Sequence, residues 1–245
     1  MTKVWSLDAD GDGILELVFE AGPVVYTHAI VTLNGVPYVV CHNSTETHAE
    51  ICLYGVDGKL AHTFDGHEDN DNWINSVVAT PDGQHIISVG SYDRLVRVWH
   101  VASKALVSTM KHSESVDVVA VTPDGRRLLT AAHQRAYVQD GADTYHRVWR
   151  FRPSIGQIAL ENTFSELHTD EVTALVALPD NQHALSGSAD KTVKLFNVNN
   201  GAVARTFRHH TSAVTSLALL PDGLRFVSGS DDKTACIAYH GLAPH

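Results

Sequence analysis

Apolar and polar residues alternate over short runs along most of the chain, as in Ala184-Leu185-Ser186 and then Val193-Lys194-Leu195-Phe196. Alternation of this kind, over five to eight residues between breakers, marks half-buried β-strands. No window of about eleven residues carries a convincing 3.6-residue period. Between the runs stand Pro81-Asp82-Gly83, Pro123-Asp124-Gly125, Pro179-Asp180-Asn181 and Pro221-Asp222-Gly223. Each places a proline, a residue that caps a turn and one that tolerates positive φ, which predicts a hairpin turn. The pattern predicts an all-β chain.

The runs also repeat. Ser186-Gly-Ser-Ala-Asp190-Lys191-Thr192 recurs as Ser228-Gly-Ser-Asp-Asp232-Lys233-Thr234, 42 residues on, and Val172-Thr-Ala-Leu recurs as Val214-Thr-Ser-Leu at the same spacing. The same phrases return more loosely from Ile74 to Trp99 and from Val116 to Trp149. The aromatics that close each third strand, Trp5, Tyr54, Trp99, Trp149 and Phe196, lie 49, 45, 50 and 47 residues apart. A four-stranded unit of about 45 residues matches one blade of a propeller.

Composition narrows the partners. With 18 Lys and Arg against 28 Asp and Glu the net charge is −10, which argues against a nucleic-acid backbone or an anionic bilayer as the main partner. A basic partner is favoured. Cys41, Cys52 and Cys236 form neither an even framework nor a C-x-x-C pair, so they are expected to be reduced. The first residues carry no apolar signal-peptide core, and no run approaches about 18 apolar residues. The expected compartment is the cytoplasm, with the nucleus as second choice.

Taken together these residues resemble the WD-repeat β-propeller family over nearly the whole chain. The family's signature has a Gly-His before the first strand, a hydroxyl in the second, an Asp at the turn into the third and a Trp ending the third. Gly66-His67, Asp93 and Trp99 match it, with Ser88 or Ser91 as hydroxyl. His168, Ser186 and Asp190 match with Phe196 for the Trp; His210, Ser228 and Asp232 match with Ala238 in the aromatic's place. His112, Thr130 and Trp149 match too, with Asp143 reached only after an insertion around 134–142, while the second unit has His48 where the Asp would fall. The resemblance implies that these residues form a structural relay tying outer strands to inner ones. A His beside an Asp and a Ser would otherwise suggest a hydrolase, but a single active site would not repeat every 45 residues or so.

The resemblance implies one propeller domain over 1–245: a partial blade at 1–20, blades at 27–64, 73–110, 115–164 and 170–207, and a last blade at 214–239 lacking its outer strand. That makes twenty-one strands and about five blade-equivalents. The count fits neither a ring of five four-stranded blades nor a larger one, so an incomplete ring, a fragment or a truncated gene model, is expected.

Of the other candidates, Asp8-Ala-Asp10-Gly-Asp12-Gly13-Ile-Leu-Glu16 sets carboxylates at loop positions 1, 3, 5 and 9 with Gly at 6, an oxygen-rich pattern that suits calcium. Phe19 stands where an EF-hand needs its Glu, so the loop looks more like the calcium loop of FG-GAP repeats. An ordinary acidic hairpin turn, like Val56-Asp57-Gly58-Lys59 in the next unit, is the reading preferred, and no metal or cofactor is expected; a calcium-binding or enzymatic propeller using Asp8, Asp10, Asp12 and Glu16 is the alternative. The chain has sixteen His but no H-E-x-x-H, and no esterase, dinucleotide or P-loop motif. Trp149-Arg150-Phe151-Arg152 resembles the W-D-x-R box by which some WD-repeat proteins dock to a cullin-ligase adaptor, with Arg150 in place of the Asp.

The expected role is therefore a non-enzymatic scaffold that binds proteins through loops on one propeller face. In the family, the connections before the first strand and between the second and third emerge there. Trp73 and Tyr92 are the aromatic anchors predicted for that face, among the acids of 68–72, with Ser115, Glu171 and Asp231 at matching positions. Such a surface suits a partner offering Arg or Lys beside an apolar residue.

Overall fold

The computed structural model describes residues 2–7, 13–19, 28–33, 36–44, 49–55, 57–67, 74–90, 93–133, 144–152, 157–165 and 167–242. Among them there is no helix. The chain divides into two units, Met1–Thr109 and Met110–His245.

The first unit opens with a two-stranded sheet, β1 (Thr2–Leu7) and β2 (Gly13–Phe19). A four-stranded antiparallel sheet follows: β3 (His28–Leu33), β4 (Val36–Ser44), β5 (Ala49–Gly55) and β6 (Leu60–His67). Next come β7 (Ile74–Ala79), β8 (His85–Gly90), β9 (Leu95–His100) and β10 (Ala105–Lys111), within which the unit boundary falls. Val31, Val40, Ile51, Phe64, Ile74, Ile86 and Trp99 form one buried cluster between the two larger sheets.

The second unit repeats this layout. Its sheets are β11 (Ser115–Val121), β12 (Arg127–His133), β13 (Thr144–Arg152) and β14 (Gln157–Ser165), then β15 (Val172–Ala177), β16 (His183–Ser188), β17 (Val193–Asn197) and β18 (Val203–Phe207). A three-stranded sheet of β19 (Val214–Leu219), β20 (Arg225–Ser230) and β21 (Ala235–Tyr239) comes last. One cluster, including Leu129, Val148, Val172 and Phe196, fills the space between the first two sheets. Another, with Leu185, Leu195, Phe207 and Phe226, lies under the last. Both arise because the alternating strands turn an apolar side to the neighbouring sheet.

Two local devices recur. At the Pro-Asp turns, Gly83 donates its N–H to the Thr80 carbonyl at 2.8 Å while the Asp82 carboxylate accepts from Gln84 N–H at 3.0 Å. The third turn residue has positive φ each time: Gly83 68°, Gly125 69°, Asn181 56° and Gly223 66°. Glycine and asparagine adopt this region at little cost. Each first strand from β7 onward also carries a register shift near its start, at Ile74/Ser76, Val116/Val118, Val172/Ala174 and Val214/Ser216.

Candidate functional site

The signature residues meet in space. His67, at the end of β6, sets Nδ1 2.5 Å from Asp93 Oδ2 and Nε2 3.0 Å from Ser88 Oγ, and Trp99 Nε1 donates to the same hydroxyl at 3.1 Å. Ser88 and not Ser91 supplies the oxygen; Ser91 lies outside the described residues. Burial pushes the His67 ring below its ordinary value, although Asp93 pulls the other way. Burial would raise Asp93, but His67, the Leu95 N–H and Arg97 together outweigh that and hold the carboxyl low. A neutral ring and a charged carboxylate assign one direction to the chain of bonds. Trp99 N–H donates to Ser88, Ser88 O–H to Nε2, and Nδ1–H to Asp93. Arg97 adds a 2.8 Å ion pair to Asp93.

The same arrangement stands in β15–β18, with His168 2.8 Å from both Asp190 and Ser186, and in the last sheet, with His210 3.0 Å from Asp232 and 2.7 Å from Ser228. Here Thr192 and Thr234 donate their hydroxyls to Asp190 and Asp232. Burial would raise Asp190, but His168 and then Thr192 hold it far below the usual range; for Asp232 the Thr234 hydroxyl is the largest cause of a similar fall. The threonines are an addition to the sequence expectation, and Asp-Lys-Thr in both repeats is the signal that carried them. The lysine between them, Lys191 or Lys233, sits at positive φ so that the Asp side chain can close on the Thr N–H.

In β11–β14 the set is shorter. Thr130 Oγ1 lies 3.3 Å from His112 Nε2 and accepts from Trp149 Nε1 at 3.0 Å. His112 Nδ1 is buried with no hydrogen-bond partner among the described residues, and the ring is held at about 3, by burial first and then by Arg147. Asp143 and 134–142 lie outside the described residues, as does His48 of the second unit. A further buried ring lies outside the sequence expectation. His146 on β13, 2% exposed, stacks on His168 at 6.0 Å and meets Phe196 edge-on at 5.4 Å, with no hydrogen-bond partner on either nitrogen among the described residues.

Each relay has the outline of a hydrolase triad, yet its oxygen has no path to a substrate. Ser88, Thr130 and Ser186 are 0% exposed and Ser228 2%. Ser88 and Thr130 are also committed to an indole N–H. Buried polar groups so satisfied hold strands together.

The residues predicted for partner binding are divided. Trp73 and Tyr92 lie outside the described residues, and so do Asp8, Asp10 and Asp12; Glu16 stands in β2, its side chain undescribed. Ser115 is the first residue of β11. Glu171 precedes β15, and its carbonyl accepts from Ala189 N–H at 2.9 Å; exposed Asp231 donates its N–H to the Ala213 carbonyl at 3.0 Å. Within each of these two sheets, those bonds join the connection before the first strand to the connection between the second and third. The Pro-Asp turns lie at the opposite strand ends.

The family model for the WD domain, G-beta repeat, matches residues 58–100, 160–197 and 201–237. Among curated proteins the chain is similar to the U3 small nucleolar RNA-associated protein 15 homolog of Gallus gallus, 28% identical over 145 residues, 58% of this chain and 25% of that one. It is also similar to the target of rapamycin complex subunit LST8 of Saccharomyces cerevisiae, 28% over 126 residues, 51% of this chain and 37% of that one. WD repeat-containing protein 1 of Rattus norvegicus is 29% identical over 136 residues, 55% of this chain and 20% of that protein. The matches thus span well under half the length of these relatives. With the relay rebuilt in successive sheets and the repeat model matched in three places, the chain carries WD repeats of the G-beta type.

Proposed function

We propose that the protein is a non-enzymatic scaffold that displays the connections at one end of its blades to protein partners. The observation that carries this reading is the pair of backbone bonds, Ala189 to Glu171 and Asp231 to Ala213. They fasten two connections of each sheet to one another, so the residues beside them are presented on a fixed frame, which lowers the ordering cost of binding. The polar clusters that could suggest catalysis repeat from blade to blade and are buried. Relatives named as a complex subunit and as an RNA-associated protein support a role within assemblies.

In this proposal Trp73 and Tyr92 anchor the partner, and Ser115, Glu171 and Asp231 lie in its path with the acids at 68, 69 and 71. The partner offers Arg or Lys beside an apolar residue, as the net charge of −10 also favours. The proposed site of action is the cytoplasm, with the nucleus second. Trp73→Ala and Tyr92→Ala should each weaken capture of the main partner by roughly 2 kcal/mol, as loss of a hot-spot aromatic does, with melting unchanged. Unaltered capture by two well-folded variants would move the interface elsewhere.

A further inference from the structure

The second unit carries a basic groove that the relay does not use and the loop face does not include. In the β12–β13–β14 register, Arg127 is opposite Arg150, Arg150 is opposite Ala159, and Arg152 is opposite Gln157. Like charges directly across a ladder repel. Glu161 relieves that one repulsion: its Oε2 accepts from Arg127 Nε at 3.0 Å and its Oε1 from Arg150 at 2.8 Å. Neither Arg126, on the β11–β12 turn, nor Arg152 has a carboxylate partner among the described residues, and both side chains are exposed.

These groups line one hollow of about 490 Å³, walled by Asp124, Arg126, Arg127, Arg150, Arg152 and Glu161 above buried Phe151. A second hollow of about 370 Å³ shares Arg150, Arg152 and Glu161 and runs along residues 157–161 of β14. Among the described residues four guanidinium groups face two carboxylates, and Asp124 is engaged by Thr122 and by its own turn. The surplus of two positive charges stands out in a chain of net charge −10. β14 is the outer strand of its sheet, and no described strand pairs with its far edge. Its backbone groups can take one more extended segment, the familiar mode of strand addition.

We propose that this groove binds an extended peptide through a phosphoserine or phosphothreonine held between Arg126 and Arg152, with an apolar neighbour against Leu160. A phosphate monoester carries about −1.5 to −2 at neutral pH, which matches the surplus, and guanidinium forks pair with its oxygens two at a time. Leu160, 52% exposed, supplies the apolar contact. Single-stranded RNA would want aromatic faces for its bases, whereas the aromatic of this groove, Phe151, is 1% exposed. The charge pattern therefore favours a peptide. This surface is separate from the loop face proposed above and stands or falls independently of it.

The test is an array of nonapeptides with a fixed central phosphothreonine, read against the full chain, followed by fluorescence polarisation of the best binder. That peptide should bind at least tenfold tighter than its unphosphorylated form and than a form with glutamate at the centre. Arg126→Glu with Arg152→Glu should remove at least tenfold of the affinity, and the single changes Arg126→Gln and Arg152→Gln should each remove part, with melting curves unchanged. The proposal is overturned if no phosphopeptide in the array binds, if phosphorylation makes no difference, or if the double variant keeps its affinity. A single-stranded RNA oligomer that binds more tightly and is lost in the same variant would overturn it too.

Discussion

The sheet β3–β6 and the sheet β15–β18 have the same strand order and differ in what fills their centre. In the latter, Phe196 is opposite Ala184, and two residues along β16 stands Ser186, bonded to His168. In the former, Tyr54 is opposite Val39 in the same sense, and two residues along β4 stands Cys41. The register thus puts a thiol where Ser88, Thr130, Ser186 and Ser228 stand in the other sheets. Cys41 faces Cys52 across the ladder, both are buried and free, and burial pushes the Cys41 thiol up to about 12. Among the described residues, this blade therefore sets a thiol, with no His–Asp pair bonded to it, at the level where the other sheets carry the relay's hydroxyl. The relay adds polar fastening to a sheet whose strands already pair, and its removal should cost stability without abolishing strand pairing.

The largest effect should come from breaking the relay where it is complete. His168→Ala leaves Ser186 and Asp190 without their ring and opens a cavity beside His146, and should cost about 3 kcal/mol in urea unfolding. A cost below about 1 kcal/mol would mean that the two kinds of sheet are held in the same way.

Acid should separate the relay-bearing sheets next. Burial, then His168 and Lys194, hold the His146 ring at about 3, while the unfolded chain titrates near 6.5. Between those values the unfolded state binds the proton and the native state does not, so stability falls as pH drops below about 6.5. The slope approaches about 1.4 kcal/mol per pH unit for such a ring. His112, also held at about 3, acts in the same direction. Asp190, held below the usual carboxylate range, adds its loss only below about pH 4. His146→Phe should flatten the fall between pH 6 and 4 and leave neutral stability intact, since both nitrogens of the native ring lack partners among the described residues. An unchanged acid profile would assign the sensitivity elsewhere.

The smallest effect belongs to the thiol sheet. Cys41→Ser restores the family's hydroxyl but buries a polar group at a position 0% exposed. It should destabilise by about 1 to 2 kcal/mol. If it stabilised the protein instead, a relay partner would have to be present in that sheet.

The relay was legible from the chain because its residue types recur 42 residues apart and the turn residues between them fix the phase. Ser88 was not separable from Ser91 until the ladder opposed Ile86 to Trp99 and so set the hydroxyl's level. Cys41 was hidden for the same reason, since a degenerate unit offers no His or Asp to count from. His146 and the arginine groove were hidden differently. Both depend on neighbours across strands or sheets, such as Arg127 against Glu161, 34 residues apart, and neither is repeated in another blade. Periodicity finds what is shared between blades and passes over what is particular to one.

The thiol at the hydroxyl's level also makes the second blade a clock for its own opening. Cys41 is sealed and protonated in the native state, so an alkylating reagent reaches it only during a local opening of that sheet, whereas partly exposed Cys236 reacts from the folded surface. Timing the slow label against the fast one reads how often this blade breathes, with no substitution introduced anywhere in the chain.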